Sequence, residues 1–157
     1  MTTPIEAETI GTILLEPVQC EGGLRVPTPG FLPALRALCD ERDLLLAFDE
    51  VQTGVGRCGT WFAYEDEGVR PDIMSLAKGL GGGVPLGAMV TTEEVAEGFQ
   101  PGSHASTFGG NPLATRAGLE VVRTIEEEGL LERASTVGAY LAEGLEQITR
   151  NHAERCV

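Results

Sequence analysis

The sequence is short of positive charge: 11 Lys and Arg stand against 24 Asp and Glu in 157 residues, a formal net charge of −13. With no basic block, it lacks the electrostatic footprint that holds phosphate backbones or anionic lipid, so neither nucleic acid nor membrane is an expected partner. The acidity reads as solubility, carried partly by Glu93-Glu94 and Glu126-Glu127-Glu128 as solvated helix faces. The four cysteines, Cys20, Cys39, Cys58 and Cys156, form no CxxC pair and show no metal-ligand spacing. They read as reduced cytosolic thiols, with no metal site expected. No apolar run approaches the ~20 residues of a membrane span. Met1 to Glu6 lacks the charged and apolar regions of a signal peptide, so a cytoplasmic location is the expectation. Also missing are GxxxxGK[ST] and a GxGxxG directly after a strand, which removes the usual phosphate-cradling loops.

What is present is enough for a core. The chain is 42% hydrophobic, and a globular chain of this size buries roughly 68–70% of its unfolded surface. Thr12-Ile13-Leu14-Leu15 reads as a buried strand closed by Glu16-Pro17. A loop from Val18 to Gly23 follows. Thr28-Pro29 is the expected N-cap and first residue of a helix to about Arg42, with Phe31, Leu32, Leu35, Leu38 and Cys39 on one side. Leu44 to Phe48 is a second apolar strand, ending in Asp49-Glu50-Val51-Gln52. Strand, helix, strand is the pattern of a parallel α/β unit. A third strand is expected over Asp72–Leu76 and a fourth, antiparallel, over Leu86–Val90. Thr91 with Glu94 is a candidate capping box for a short helix. Asn111-Pro112 caps a helix to about Glu128. A last helix, about Leu130 to Thr149, keeps Ala134, Val137, Leu141, Leu145 and Ile148 on one stripe.

The groups able to do chemistry fall at strand ends or in the loops beyond them: Glu16 to Glu21, Asp49 to Gln52, and Lys78, which precedes the cluster Gly79, Gly81, Gly82, Gly83. In an open parallel sheet, ligands bind beyond the carboxyl ends of the strands, so these groups can share one crevice. Taken alone, the Lys78 stretch is compatible with a reactive amine, a phosphate loop or a solvated hairpin. Asp49 and Glu50 could simply cap a strand end, and Gln52 could be a plain loop amide. Cys20 reads as a small filler, and Trp61, Phe62 and Tyr64 as core or subunit contacts. His104 fits a loop carbonyl as well as a ligand. A pyridoxal phosphate site uses all the groups together. It needs a lysine for the covalent link, a carboxylate opposite the pyridine nitrogen and donors for the phosphate. Lys78, Asp49 and the Ser106-Thr107 loop supply one of each.

The stretch LLLAFDEVQTGVGRCGTWFAYEDEGVRPDIMSLAKGLGGGVPLGAMV, with EPVQCEGG before it and GSHASTFGGNPLA after it, resembles the class III pyridoxal-phosphate-dependent aminotransferases, above all the acetylornithine and ornithine members. The resemblance covers essentially the whole chain, spacing as well as letters. It implies an α/β fold, part of the large domain of fold type I, with a mostly parallel sheet flanked by helices. It implies pyridoxal 5'-phosphate as cofactor, amino-acid and 2-oxo-acid substrates, and a homodimer with a shared active site. By position, Lys78 is the cofactor-linking lysine and proton shuttle, and Asp49 the partner of the pyridinium nitrogen. Glu50 adjoins it in the cofactor-binding run, Val51 packs on the ring, and Gln52 bonds the ring hydroxyl. Thr107 binds the phosphate of the neighbouring subunit's cofactor, and Ser106 lies near the substrate. Glu21 resembles the carboxylate that pairs with a substrate-binding arginine. Cys20 departs from the glycine usual there, as does Ala105.

The implied reaction is transamination from N2-acetylornithine to 2-oxoglutarate, as in arginine biosynthesis. Its alternatives are another ω-aminotransferase, acting on ornithine or 4-aminobutyrate, and a non-catalytic remnant. Family members are more than twice this long. The expectation is therefore a fragment: residues 1–128 as the C-terminal half of the cofactor-binding large domain, and 129–157 as a helix leading to an absent small domain.

Overall fold

A computed structural model describes residues 10–154. Its centre is a four-stranded sheet in the order β1 (Thr12–Leu15), β2 (Leu45–Asp49), β3 (Ile73–Leu76), β4 (Ala88–Thr91). The first three run parallel and β4 is antiparallel to β3, as the tight connection between them requires. Helix α1 (Phe31–Arg42) makes the crossover from β1 to β2. The β2–β3 connection instead contains only a 3₁₀ turn, Ala63–Glu67. Beyond the sheet lie α2 (Glu93–Ala96), α3 (Pro112–Glu127) and α4 (Leu130–Asn151).

The core forms where α1 covers β2. Leu32, Cys39, Leu46, Phe48 and Val69 are buried together, with Ile13, Leu15, Leu35, Leu44 and Tyr64 packed around them. Tyr64 tilts against Phe48 at 6.1 Å and stacks on Phe62 at 5.7 Å, so of the three aromatics Tyr64 is the one packed against the core cluster. Phe31 and Leu38 of the α1 stripe are instead exposed.

Several local expectations are corrected. Among the described residues β1 is an edge strand rather than a buried one: it pairs only with β2 there, and Leu14 is 68% exposed. Helix α1 is preceded by Gly30 in the left-handed conformation, not capped by Thr28. The Thr28 carbonyl accepts from Phe31 N instead, closing a turn before the helix. The cap of α2 is Thr92, one residue beyond the expected Thr91, with its hydroxyl accepting from Val95 N. Asn111 caps α3 as expected, its side-chain oxygen accepting from Ala114 N at 3.0 Å. The α4 stripe is present but uncovered: Val137, Leu141, Leu145 and Ile148 are all exposed.

One carboxylate ties these elements together. Asp72, just before β3, accepts at Oδ2 from Arg36 Nη1 of α1 and from Leu46 N of β2, both at 2.7 Å. Its peptide N–H donates to Leu46 O, and its carbonyl accepts from Thr92 N. Arg36 also meets Asp40 at 2.7 Å, but Asp40 is 64% exposed and Asp72 only 25%. Charge-assisted hydrogen bonds in a partly buried setting are worth more than an exposed ion pair. Asp72→Ala is expected to cost roughly 2–3 kcal/mol and Asp40→Ala under about 1 kcal/mol. Equal shifts in their urea midpoints would contradict this ranking.

Candidate active site

The carboxyl ends of β2 and β3 lie side by side. Asp49 closes β2 opposite Ser75, and the ladder continues one bond further as Glu50 N donates to Ser75 O at 3.0 Å. Asp49 Oδ1 accepts from Val51 N at 2.9 Å, an Asx-type bond that turns the chain out of the strand. Three residues past Ser75, Lys78 opens a 3₁₀ turn, Lys78–Gly81, ended by Gly82 at φ 57°. Helix α3 sits hard against this turn. A Cβ on Gly118 would lie 2.6 Å from Leu86 Cδ2 and 3.3 Å from Leu80 O, so a larger residue there would have to move Leu86 and ease the helix away from the turn.

A cleft of about 460 Å³ opens here, lined by Val51, Gln52, Val55 and Lys78, with Cys20 and Cys58 on its walls. Its size falls within the range of small-molecule sites. A groove alongside β1, about 500 Å³, is slightly larger but is lined by neither Lys78 nor Asp49. Three non-glycine residues among those described adopt positive φ: Asp43, Val55 and Lys78. Asp43 terminates α1. The other two face the cleft, and backbone strain of this kind collects at functional sites. For a β-branched residue such as Val55 the conformation is especially unfavourable.

The expected site residues separate into three groups. Lys78, Val51 and Gln52 line the cleft, and Asp49 stands half-buried at the strand end beside them. Glu21 is drawn in through Gln52, whose Nε2 donates to Glu21 Oε1 at 2.9 Å. Ser106 and Thr107 do not line the cleft. Their loop is fully exposed, and Ser106 Oγ accepts from Gly109 N at 2.9 Å. His104 packs edge-on against Phe99 at 5.6 Å.

Glu50 is placed differently from the expectation. It is 1% exposed and faces inward, where Oε1 accepts from Tyr64 N at 3.1 Å and Oε2 from the Thr53 hydroxyl. Its carbonyl accepts from Gly54 N, and a Cβ on Gly54 would come within 2.8 Å of that oxygen. Glu50 thus pins the turn that presents Val51 and Gln52, and both of its oxygens are engaged by protein. Its charge reaches further: burial raises the Tyr64 phenol most, followed by Glu65 and then Glu50. Sequence reasoning missed Val55, Thr53 and Cys58 as parts of the site. The Gly54-Val55-Gly56 spacing was the available signal for a strained turn. A second signal was composition, because Lys78 is the only lysine in the chain.

The class of protein now follows. The family model for class-III aminotransferases matches residues 3–156, and the chain belongs to that family. Among curated relatives, the acetylornithine aminotransferase of Caldanaerobacter subterraneus subsp. tengcongensis is 52% identical over 145 residues, covering 92% of this chain and 37% of that protein. That of Methanopyrus kandleri is 60% identical over 126 residues, covering 80% and 32%. Among solved structures, the acetylornithine aminotransferase of Elizabethkingia anophelis superposes with a TM-score of 0.88 at 39% identity, over 93% of this chain and 38% of that one. The Plasmodium falciparum ornithine delta-aminotransferase gives 0.86 at 35% identity, over 92% and 38%. The chain therefore spans a little over a third of the length of such relatives.

The family's enzymes depend on pyridoxal phosphate, and the residues here fit that group. Neighbouring parallel strands deliver one amine and one carboxylate to the same end of the sheet, beside a cleft with an apolar wall at Val51 and an amide at Gln52. Glu50, by contrast, is expected to act through stability. Its removal leaves the Tyr64 N–H and Thr53 hydroxyl buried without acceptors, so Glu50→Ala should cost roughly 2–4 kcal/mol in denaturant unfolding. A change below about 0.5 kcal/mol, within the range of ordinary surface substitutions, would show that the turn does not depend on it.

Proposed function

We propose that this chain is part of an aminotransferase that moves an amino group from N2-acetylornithine to 2-oxoglutarate, as in arginine biosynthesis, in the cytoplasm. The observation that carries the reading is the delivery of Lys78 and Asp49 by adjacent strands to one end of the sheet, beside a cleft lined by Lys78. The choice of donor is supported by relatives named acetylornithine aminotransferase at 50–60% identity. An ornithine donor is the second reading, favoured by structural neighbours of that name.

When bound, pyridoxal phosphate supplies a carbonyl carbon for condensation with an amine and an electron sink for the electrons left by a departing proton. Lys78 Nζ would hold the cofactor and would carry the proton of the substrate's amine-bearing carbon. Asp49 would keep the pyridine nitrogen protonated by charge pairing. Val51 would pack against the ring. Gln52 would donate to the ring hydroxyl, and with two N–H donors it could keep its bond to Glu21 as well. Glu50 holds the turn from behind. Thr107 and Ser106, on an exposed loop away from the cleft, fit a role across a homodimer interface, with Thr107 on the neighbouring subunit's cofactor phosphate. Residues 1–128 then belong to the cofactor-binding domain, and 129–157 lead toward a small domain.

Incubating the chain with pyridoxal phosphate, reducing with borohydride and mapping peptides by mass spectrometry should find the adduct at Lys78 and none in Lys78→Ala. A folded chain that gains no adduct would favour a non-catalytic remnant. With a little over a third of the relatives' length, the 157 residues alone are expected to transaminate acetylornithine and 2-oxoglutarate barely or not at all. Robust turnover would sink that expectation.

A further inference from the structure

The cleft holds chemistry that transamination leaves unused. Cys20, on the turn after β1, and Cys58, on the glycine-rich turn after β2, both line it beside Val51, Gln52 and Lys78. Cys20 is half-buried and Cys58 exposed, whereas Cys39 is sealed in the core at 0% exposure. The Gln52–Glu21 hydrogen bond ties the turn carrying Cys20 to the loop carrying Cys58. The sulfurs also lie within electrostatic reach. Although Cys58 is exposed as a residue, partial desolvation of its thiol by the surrounding protein raises it most, then Glu50, Asp66 and Cys20 add to this, while Arg57 opposes it. Cys20 itself is lightly held: its Sγ donates to Val18 O at 3.4 Å, a weak contact, and its N–H to Glu16 Oε2.

We propose that Cys20 and Cys58 are a redox-modification site, a thiol pair that a low-molecular-weight disulfide oxidises to an intramolecular bridge across the cleft, restricting access to Lys78. A Cys20 thiolate attacks one sulfur of the small disulfide, whose S–S bond breaks and releases one small thiol. Cys58 then loses its proton and attacks the Cys20 sulfur of the mixed disulfide, releasing the second. Two protein thiols are oxidised, and one small disulfide is reduced to two thiols. Desolvation, and then the Glu50 and Asp66 charges, disfavour the Cys58 thiolate, which suits Cys58 to the second, resolving step. The bridge requires Cα atoms within about 7 Å.

The proposal stands on the geometry of the cleft and needs no bound cofactor, so its test is separate from that of the aminotransferase reading. The reduced chain is treated with glutathione disulfide, alkylated and digested without reductant. A linked peptide joining Cys20 to Cys58 is expected in the monomeric fraction, absent from Cys20→Ser and Cys58→Ser, with Cys39 unmodified. Because the chain has a single lysine, side-chain labelling by a small aldehyde and borohydride reads Lys78 alone. Its rate should fall severalfold on oxidation, recover with dithiothreitol, and stay unchanged by the oxidant in Cys20→Ser. Stable glutathione adducts without a link, a link to Cys156, or a bridge that leaves Lys78 labelling unaltered would each overturn the proposal.

Discussion

The register of β2 against β3 is the constraint on which the rest depends, and the Asp72 carboxylate enforces it. By accepting from Leu46 N and from Arg36 at once, it fixes where β3 begins relative to β2 and how α1 lies across them. Asp49 then stands opposite Ser75, and Lys78 follows three residues later at the same end of the sheet. A slip of one residue would turn every side chain of the strand to the other face. It would also carry Asp49 away from the cleft. A bond made at the start of a strand thus sets the spacing of the groups at its far end.

Beyond the strand ends, the backbone is held against its own preferences. Val55 and Lys78 both occupy the left-handed region, and each is overdetermined by its surroundings. The turn around Val55 is closed by Glu50 from below and by Gly56 N donating to Trp61 O. The Lys78 turn is pressed by α3 through Gly118. Buried Glu50, unpromising as a ligand, holds the turn after β2 from inside: both its oxygens are occupied by protein donors.

Much of this was legible in the residues. Continuous apolar runs located all four strands to within two residues, the short glycine connection gave β4 its antiparallel direction, and Asn111-Pro112 located the start of α3. The placement of Lys78, Asp49 and Gln52 at one end of the sheet could be read because all three follow or close parallel strands. What escaped was decided by tertiary context. The exposure of Leu14 reflects which strands neighbour β1, which no local pattern records. The inward turn of Glu50 depends on Tyr64 fourteen residues away, so its letter alone placed it with Asp49. Thr28-Pro29 carries a cap signature, yet Gly30 in the left-handed conformation delays the helix. Ser106 and Thr107 stayed apart from Lys78 because their loop projects outward from this chain.

The left-handed backbone at Lys78 sets two selective demands against each other. A side chain in that region costs about 1–2 kcal/mol that glycine does not incur. Variants of this chain sorted for thermal resistance alone would therefore tend to accumulate glycine at position 78, extending the run that follows it. A lysine at that position is thus carried at a conformational cost that its backbone does not repay.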